Sequence, residues 1–268
     1  MTNLIQAGLI ISLMAIGASS RKIKVFKTTN NFEKFKDGSG AKFRNVRDFE
    51  LVDFSVCNRF LFFGKQDNTA LIYSKHDQDT LASSRVIFGV TEVMANNWDK
   101  IWIGLLNVSI TNFIPWPARE WHHICLSYTN NSSVITLVSN GGTHFKKVTL
   151  EHLKKNPTPI PPEFLTNLFI MRASTTEITE EKIFWSMFGK MTDVNIWNYT
   201  MTVEEMNSWT NCINTGGGGN VVNWEIAEWT TWDLEVENVD KSEICQVEKK
   251  PGLTIFPQRR TFRESLEL

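Results

Sequence analysis

The sequence predicts an all-β fold, two antiparallel sheets packed face to face with one short helix on an outer side. Three observations carry this. Short runs rich in Val, Ile, Phe and Trp recur through most of the chain, broken by Asn, Gly, Asp and Pro, which is the pattern of a sandwich of many short strands. Only one stretch has helical spacing. The 268 residues are 42% hydrophobic and 12% aromatic, ample for the core of one large domain.

Twenty-eight Lys and Arg against 29 Asp and Glu leave a formal charge of -1. That balance supplies no field to draw nucleic acid or an anionic membrane surface. At the start, Leu4 to Ile16 is an uncharged apolar run, followed by Gly17-Ala18-Ser19-Ser20 and then Arg21-Lys22. Residues 1–20 read as a signal peptide with a small-residue cleavage region, although Met1-Thr2-Asn3 carries no Lys or Arg. A retained anchor is the alternative, although the run falls short of the roughly 20 apolar residues that a membrane span needs. A secreted or extracellular chain is therefore expected. In that compartment four cysteines, Cys57, Cys125, Cys212 and Cys245, suit two disulfides, and no C-x-x-C pair gives a zinc or redox spacing. Asn107, Asn130, Asn131 and Asn198 stand in glycosylation triplets.

Strands are expected at Lys24 to Phe26 and, after the Asp37-Gly38-Ser39-Gly40 break, within Lys42 to Phe63. In the latter, Phe54, Val56, Phe60 and Phe62 share one face with Asn58 as the exception, the alternation of a half-buried strand. Further runs lie at Ala70 to Tyr73, Val86 to Val90, Ile101 to Leu106, Trp121 to Thr129 and Val134 to Val138. Asn140-Gly141-Gly142 turns the chain into Thr143 to Val148. Pro157, Pro159, Pro161 and Pro162 mark a surface loop, since proline cannot join a ladder. Strands resume at Leu168 to Met171 and Met191 to Trp197. Thr202 and Glu205 form a capping box that opens the helix, with Val203, Met206 and Trp209 on one side, and Gly216 to Gly219 break the chain after it. Beyond Trp232 the composition turns polar, so the sandwich is assigned to residues 21–232 and a tail or linker to 233–268. Phe262, Ser265 and Leu266 fall on one face of a short helix near the end. The chain reads as a piece of a longer protein.

Three stretches together resemble the pentraxin family. His123, Cys125 and Ser127 match the start of the signature H-x-C-x-[ST]-W-x-[ST], with Tyr128 in place of its Trp and Asn130 in place of its last Ser or Thr. Gly189 to Asn198 and the Thr202 helix resemble the family's late strand and single helix, and Gly219-Asn220-Val221-Val222-Asn223-Trp224 resembles the segment that follows. Order and spacing agree over Lys24 to Trp229. The resemblance implies a two-sheet jelly roll with a helix on one face, a disulfide joining neighbouring strands through Cys57 and Cys125, calcium-dependent recognition on the other face, and assembly into a homo-oligomeric ring. Cys212 is left to pair with Cys245 or with a cysteine outside this sequence. The last residues, Phe256 to Leu268, resemble the opening of a C-type-lectin-like domain.

The same resemblance places the first calcium ligands at Asp67 and Asn68, a carboxylate and an amide beside each other in a loop. The remaining ligand positions fall on Ala173, Thr175, Lys182 and Trp185, which offer no carboxylate. Glu177, Glu180 and Glu181 of the same loop are the substitutes, or are simply solvated. Tyr73 stands where an aromatic residue would stack on a bound ligand, and equally reads as an ordinary strand residue. His122 and His123 are adjacent, so on a strand they face opposite ways and cannot chelate one ion. No phosphate loop, G-x-S-x-G elbow or H-E-x-x-H is present. The expected function is recognition of carbohydrate, phosphorylated head groups or a protein, with weak calcium as the only cofactor and no catalysis. A metal-free structural or protein-interaction ectodomain is the alternative, and a glycoside hydrolase with paired acids a remote one.

Overall fold

The computed structural model describes residues 21–28, 40–44, 51–63, 68–74, 85–93, 98–103, 106, 108–111, 117, 119–151, 168–171, 187–213 and 217–245. The strands are β1 (Lys22–Thr28), β2 (Gly40–Phe43), β3 (Phe54–Phe62), β4 (Asn68–Ser74), β5 (Arg85–Val93), β6 (Trp98–Ile103), β7 (Val108–Thr111), β8 (His122–Thr129), β9 (Val134–Ser139), β10 (His144–Thr149), β11 (Leu168–Ile170), β12 (Gly189–Trp197), β13 (Trp229–Trp232) and β14 (Leu234–Asp240). Two helices, α1 (Val203–Thr210) and α2 (Lys241–Ile244), follow β12 and β14. The first sheet has the order β10-β9-β8-β3-β12-β1-β14 and the second β13-β2-β11-β4-β5-β6-β7. All named pairs are antiparallel, and the chain passes repeatedly between the sheets. This is the predicted jelly-roll sandwich.

Alternation along each strand sends one set of side chains between the sheets. Phe54, Val56, Phe60 and Phe62 enter the shared core with Ile124, Leu126, Tyr128 and Ile196. Phe26, Trp224 and Trp229 form an aromatic triad there, with ring centroids 5.0 to 5.8 Å apart. β3 is not the half-buried strand expected, because Ser55, Cys57 and Arg59 on its other face are buried as well. Helix α1 lies over them. Its capping box forms as expected, Glu205 N–H donating to Thr202 Oγ1 at 3.2 Å and Thr202 N–H to Glu205 Oε2 at 2.7 Å. Met206 and Trp209 then pack with Trp197, Met201, Val138 and the Cys57–Cys125 pair as a second apolar cluster outside the sheet.

Cys57 and Cys125 are directly opposite in the β3–β8 register and are bonded, with Cα atoms 4.1 Å apart. Cys212 and Cys245 are also bonded, at a Cα separation of 5.8 Å, which decides the alternative the sequence left open. Residues 234–240, read as the opening of a tail, are instead a strand of the sandwich. β14 pairs with β1 over seven positions, from Lys22↔Asp240 to Thr28↔Leu234. Its charge misled the reading because an edge strand with a solvated face is polar by need. Lys27 and Lys190 grip Glu235 and Glu237 along that face.

Asn58 remains the exception within β3. It is 0% exposed, and neither end of its amide has a hydrogen-bond partner among the described residues. A buried unmet polar group costs about 1–3 kcal/mol. Asn58→Val, which suits a strand and removes the orphan amide, is expected to raise the urea midpoint by an amount equivalent to about 1–2 kcal/mol. A lower midpoint would show that the amide has a partner.

Candidate functional site

The outer side of the first sheet holds a closed polar centre. Opposite Asn58, β12 carries an extra residue, because the register passes from Thr192↔Arg59 to Asn195↔Cys57. Asp193 in this bulge has φ 54, a left-handed backbone that Asp tolerates better than most residues. The bend brings its carboxylate 2.8 Å from Arg59 Nε, and both side chains are almost wholly buried. Burial pushes the Arg59 pKa down while Asp193 opposes it. Arg59 Nη2 donates to the Trp209 carbonyl at 2.9 Å, its guanidinium carbon lies 4.1 Å from the Trp209 ring, and Nη1 points at the sulfur of Cys212. Asn195 completes the centre. Its amide donates to Asp193 and its oxygen accepts from Gly219 and Trp224 backbone N–H groups. Gly219 is required here, since a Cβ would fall 2.1 Å from the Val222 carbonyl oxygen.

His123 belongs to the same centre as a core residue. Nε2 lies 2.8 Å from the Ile244 carbonyl, and Nδ1 lies 2.7 Å from the Thr210 carbonyl and 3.1 Å from Arg59 Nη1. Burial first, then the Arg59 cation, lowers its pKa to about 4, although the two carbonyls favour the charged form. The ring is neutral at pH 7 with one hydrogen for two carbonyls, and placing it on Nε2 makes the bond to Ile244. This bond docks α2. His122 faces the other way, its Nε2 lies 2.8 Å from the Pro117 carbonyl, and burial lowers its pKa to about 4 as well.

A second arrangement is open to solvent. Where β1 meets β14, a groove of about 440 Å³ is lined by Arg21, Lys22, Lys24, Lys241, Glu225 and Ile226. Arg21 pairs with Glu225, and Lys24 Nζ donates to the Ala227 carbonyl at 3.3 Å. Asp240, opposite Lys22 in register, caps α2 through Ser242, whose hydrogen bonds hold its pKa below the usual carboxylate value. Ile226 stands 79% exposed at the lip. Four cations thus line the groove with one carboxylate, on a chain of net charge -1. Sequence reasoning missed this groove because Arg21 and Lys22 were read as cleavage flank and Lys241 as tail. No spacing links them; only the β1–β14 pairing does.

Of the expected calcium ligands, Asn68 opens β4 opposite Glu92, and Tyr73 lies on the same strand opposite Val86 and Phe169. Asp67, Glu177, Glu180 and Glu181 lie outside the described residues, as do Ala173, Thr175, Lys182 and Trp185. Among the described residues no three His, Cys, Asp or Glu side chains converge. Of the glycosylation triplets, Asn131 and Asn198 are exposed, Asn130 is half-buried and accepts from Tyr128 Oη at 3.3 Å, and Asn107 is outside the described residues.

No protein-family model matches the sequence, and no curated protein matches it. Solved structures do. The fold is similar to the native heptameric SAP-like pentraxin from Limulus polyphemus, with TM-score 0.60 and 16% identity over 84% of this chain and 97% of that one. It is also similar to part of the full extracellular region of zebrafish Gpr126/Adgrg6, with TM-score 0.54 and 15% identity over 81% of this chain and 26% of that one. At these identities the likeness establishes the fold, a jelly roll of the pentraxin and lectin-like kind.

Two outcomes follow from the polar centre. Asp193→Ala leaves the Arg59 charge buried and unpaired, so urea denaturation is expected to show a loss of about 3–5 kcal/mol; a loss below about 1 kcal/mol would place water beside Arg59. For the two histidines, an unfolded pKa near 6.5 exceeds a folded value of about 4. The unfolded chain therefore binds more protons between these limits. Stability is full above pH 6.5 and falls as the pH drops toward 4, by on the order of 3 kcal/mol per histidine. Melting curves across that window check it, and a flat profile would contradict the buried neutral rings.

Proposed function

We propose that this protein is an extracellular recognition module that binds anionic carbohydrate or phosphorylated head groups, without catalysis. The observation that carries the reading is the groove at the β1–β14 edge. Sulfate, carboxylate and phosphate groups are met there by Lys22, Lys24, Lys241 and Arg21, and Ile226 offers an apolar contact beside them. The jelly-roll scaffold and two disulfides support an extracellular setting. Weak calcium binding through Asp67 and Asn68, completed by Glu177, Glu180 or Glu181, remains part of the reading, with an affinity on the order of 10⁻⁴ to 10⁻³ M. A homo-oligomer also belongs to it, and light scattering that gives the mass of one chain would remove it. The metal-free ectodomain is favoured instead by Ala173, Thr175, Lys182 and Trp185 standing where ligands would be needed.

Calorimetric titration with a sulfated oligosaccharide, in millimolar calcium and in chelator, tests the proposal. Binding is expected to weaken with salt and to fall about tenfold in Lys22→Ser/Lys241→Ser, two exposed or half-exposed charges. Heat that vanishes in chelator and in Asp67→Ala, with the lysine variant unaffected, moves recognition to the calcium face. No heat under any condition favours the ectodomain.

A further inference from the structure

The geometry points to the Cys212–Cys245 bond as a thiol-exchange site, in which a small thiol attacks Cys245 and Cys212 leaves as a thiolate held by the buried Arg59 guanidinium. The two disulfides of this chain differ in their surroundings. Cys57 and Cys125 are 0% exposed within an apolar cluster of Val138, Trp197, Met201, Met206 and Trp209. Cys212 and Cys245 are half-buried, and a buried cation faces them. Arg59 Nη1 donates to Cys212 Sγ and lies 3.7 Å from Cys245 Sγ. The rest of the fork is already committed, Nε to Asp193 and Nη2 to Trp209. A disulfide sulfur is a weak acceptor and gains little from this donor. A thiolate in the same place gains a charge-assisted hydrogen bond from a guanidinium that is itself almost wholly buried.

Neither partner needs the sulfur–sulfur bond to stay where it is. Cys212 is the left-handed residue that ends α1, φ 59, with its N–H donating to the Trp209 carbonyl at 3.1 Å and that of Ile213 to the Ser208 carbonyl at 3.0 Å. These two bonds make a Schellman motif with Cys in the place glycine usually takes. Arg59 is fixed by Asp193, Trp209 and the neutral ring of His123. Cys245, by contrast, is the C-cap of a four-residue helix. A cleft of about 20 Å³, lined by Cys212, Gly217, Gly218, Glu225 and Lys241 among others, reaches Arg59 and Asp193. It is large enough for one water and too small for a thiol reagent. With Cys212 Sγ held against Arg59, Cys245 Sγ is the sulfur left to be attacked in this proposal. The Asp193 carboxylate and the carbonyls at the end of α1 oppose a negative sulfur, and the proposed exchange requires the hydrogen bond from Arg59 Nη1 to outweigh them.

The step balances as ordinary exchange. A thiolate of the glutathione class bonds to Cys245 Sγ as the Cys245–Cys212 bond breaks, and the electron pair stays on Cys212. A second thiolate then releases Cys245 and carries both sulfurs of the reductant away as its disulfide. Two electrons pass from two small thiols to the protein.

The test uses single free thiols. In Cys245→Ser, with the far-UV spectrum unchanged, the alkylation rate of Cys212 is expected to have a midpoint at least about one pH unit below the ordinary 8.5. That corresponds to about tenfold more thiolate at pH 6.5. Cys245 in Cys212→Ser is expected to show a smaller depression, because Arg59 Nη1 lies farther from it, at 3.7 Å. In the native protein, incubation with oxidised and reduced glutathione and peptide mapping should find the adduct on Cys245 while Cys57–Cys125 stays closed. A Cys212 midpoint at or above about 8.5 overturns the proposal. So does an adduct on Cys212, or opening of Cys57–Cys125 first; if either variant loses its fold, the native mapping decides alone.

Discussion

Arg59 carries a charge into a place where water scarcely reaches, and the lost hydration has to be replaced by groups of fixed position. That requirement organises the outer side of the first sheet. It calls for a carboxylate at one distance, which β12 supplies by adding a residue and turning Asp193 into a left-handed backbone. A carbonyl at another angle comes from the end of α1 at Trp209. The bulge needs Asn195 to bind its loose ends, and Asn195 in turn holds the Gly219–Trp224 segment whose indole belongs to the core. Such a centre adds little stability over an apolar one, but removing one member leaves the others uncompensated. Helix, bulge and late loop are therefore positioned together.

The centre is closed, so it serves the fold, while the groove at the β1–β14 edge is open and carries unbalanced charge. Glu225 and Lys241 border both. His123 holds α2 on one side, and its N-terminal Lys241 lines the groove on the other. The groove's charges and the scaffold's hydrogen bonds thus meet on four residues.

Much of this was legible in the sequence, for local reasons. The capping box at Thr202 and Glu205, the apolar alternation of Phe54 to Phe62 and the glycine turn at 140–142 are written in neighbouring residues, and short-range rules find them. Trp197, Phe54 and Trp224, each on an apolar stretch, are 3%, 1% and 0% exposed. What stayed hidden depends on pairing across the whole chain. Residues 234–240 read as a polar tail because an edge strand balances its charge with partners on β1 and β12, which no window around Glu235 contains. Arg59 sat unremarked in a hydrophobic strand, since nothing near it in sequence announces Asp193.

The Cys212–Cys245 bond also redirects mechanical load. Residues 213–244 lie inside a covalent loop, and β14 is within it. Tension arriving through the chain beyond Cys245 crosses the sulfur–sulfur link to the end of α1 and never enters β14. Without that link the same pull would start at Asp240, opposite Lys22, and peel β14 from β1 one rung at a time, the geometry in which a sheet resists least. With it closed, the β14 edge of the sheet lies off the path of force, and the strain falls on a helix seated over a second disulfide.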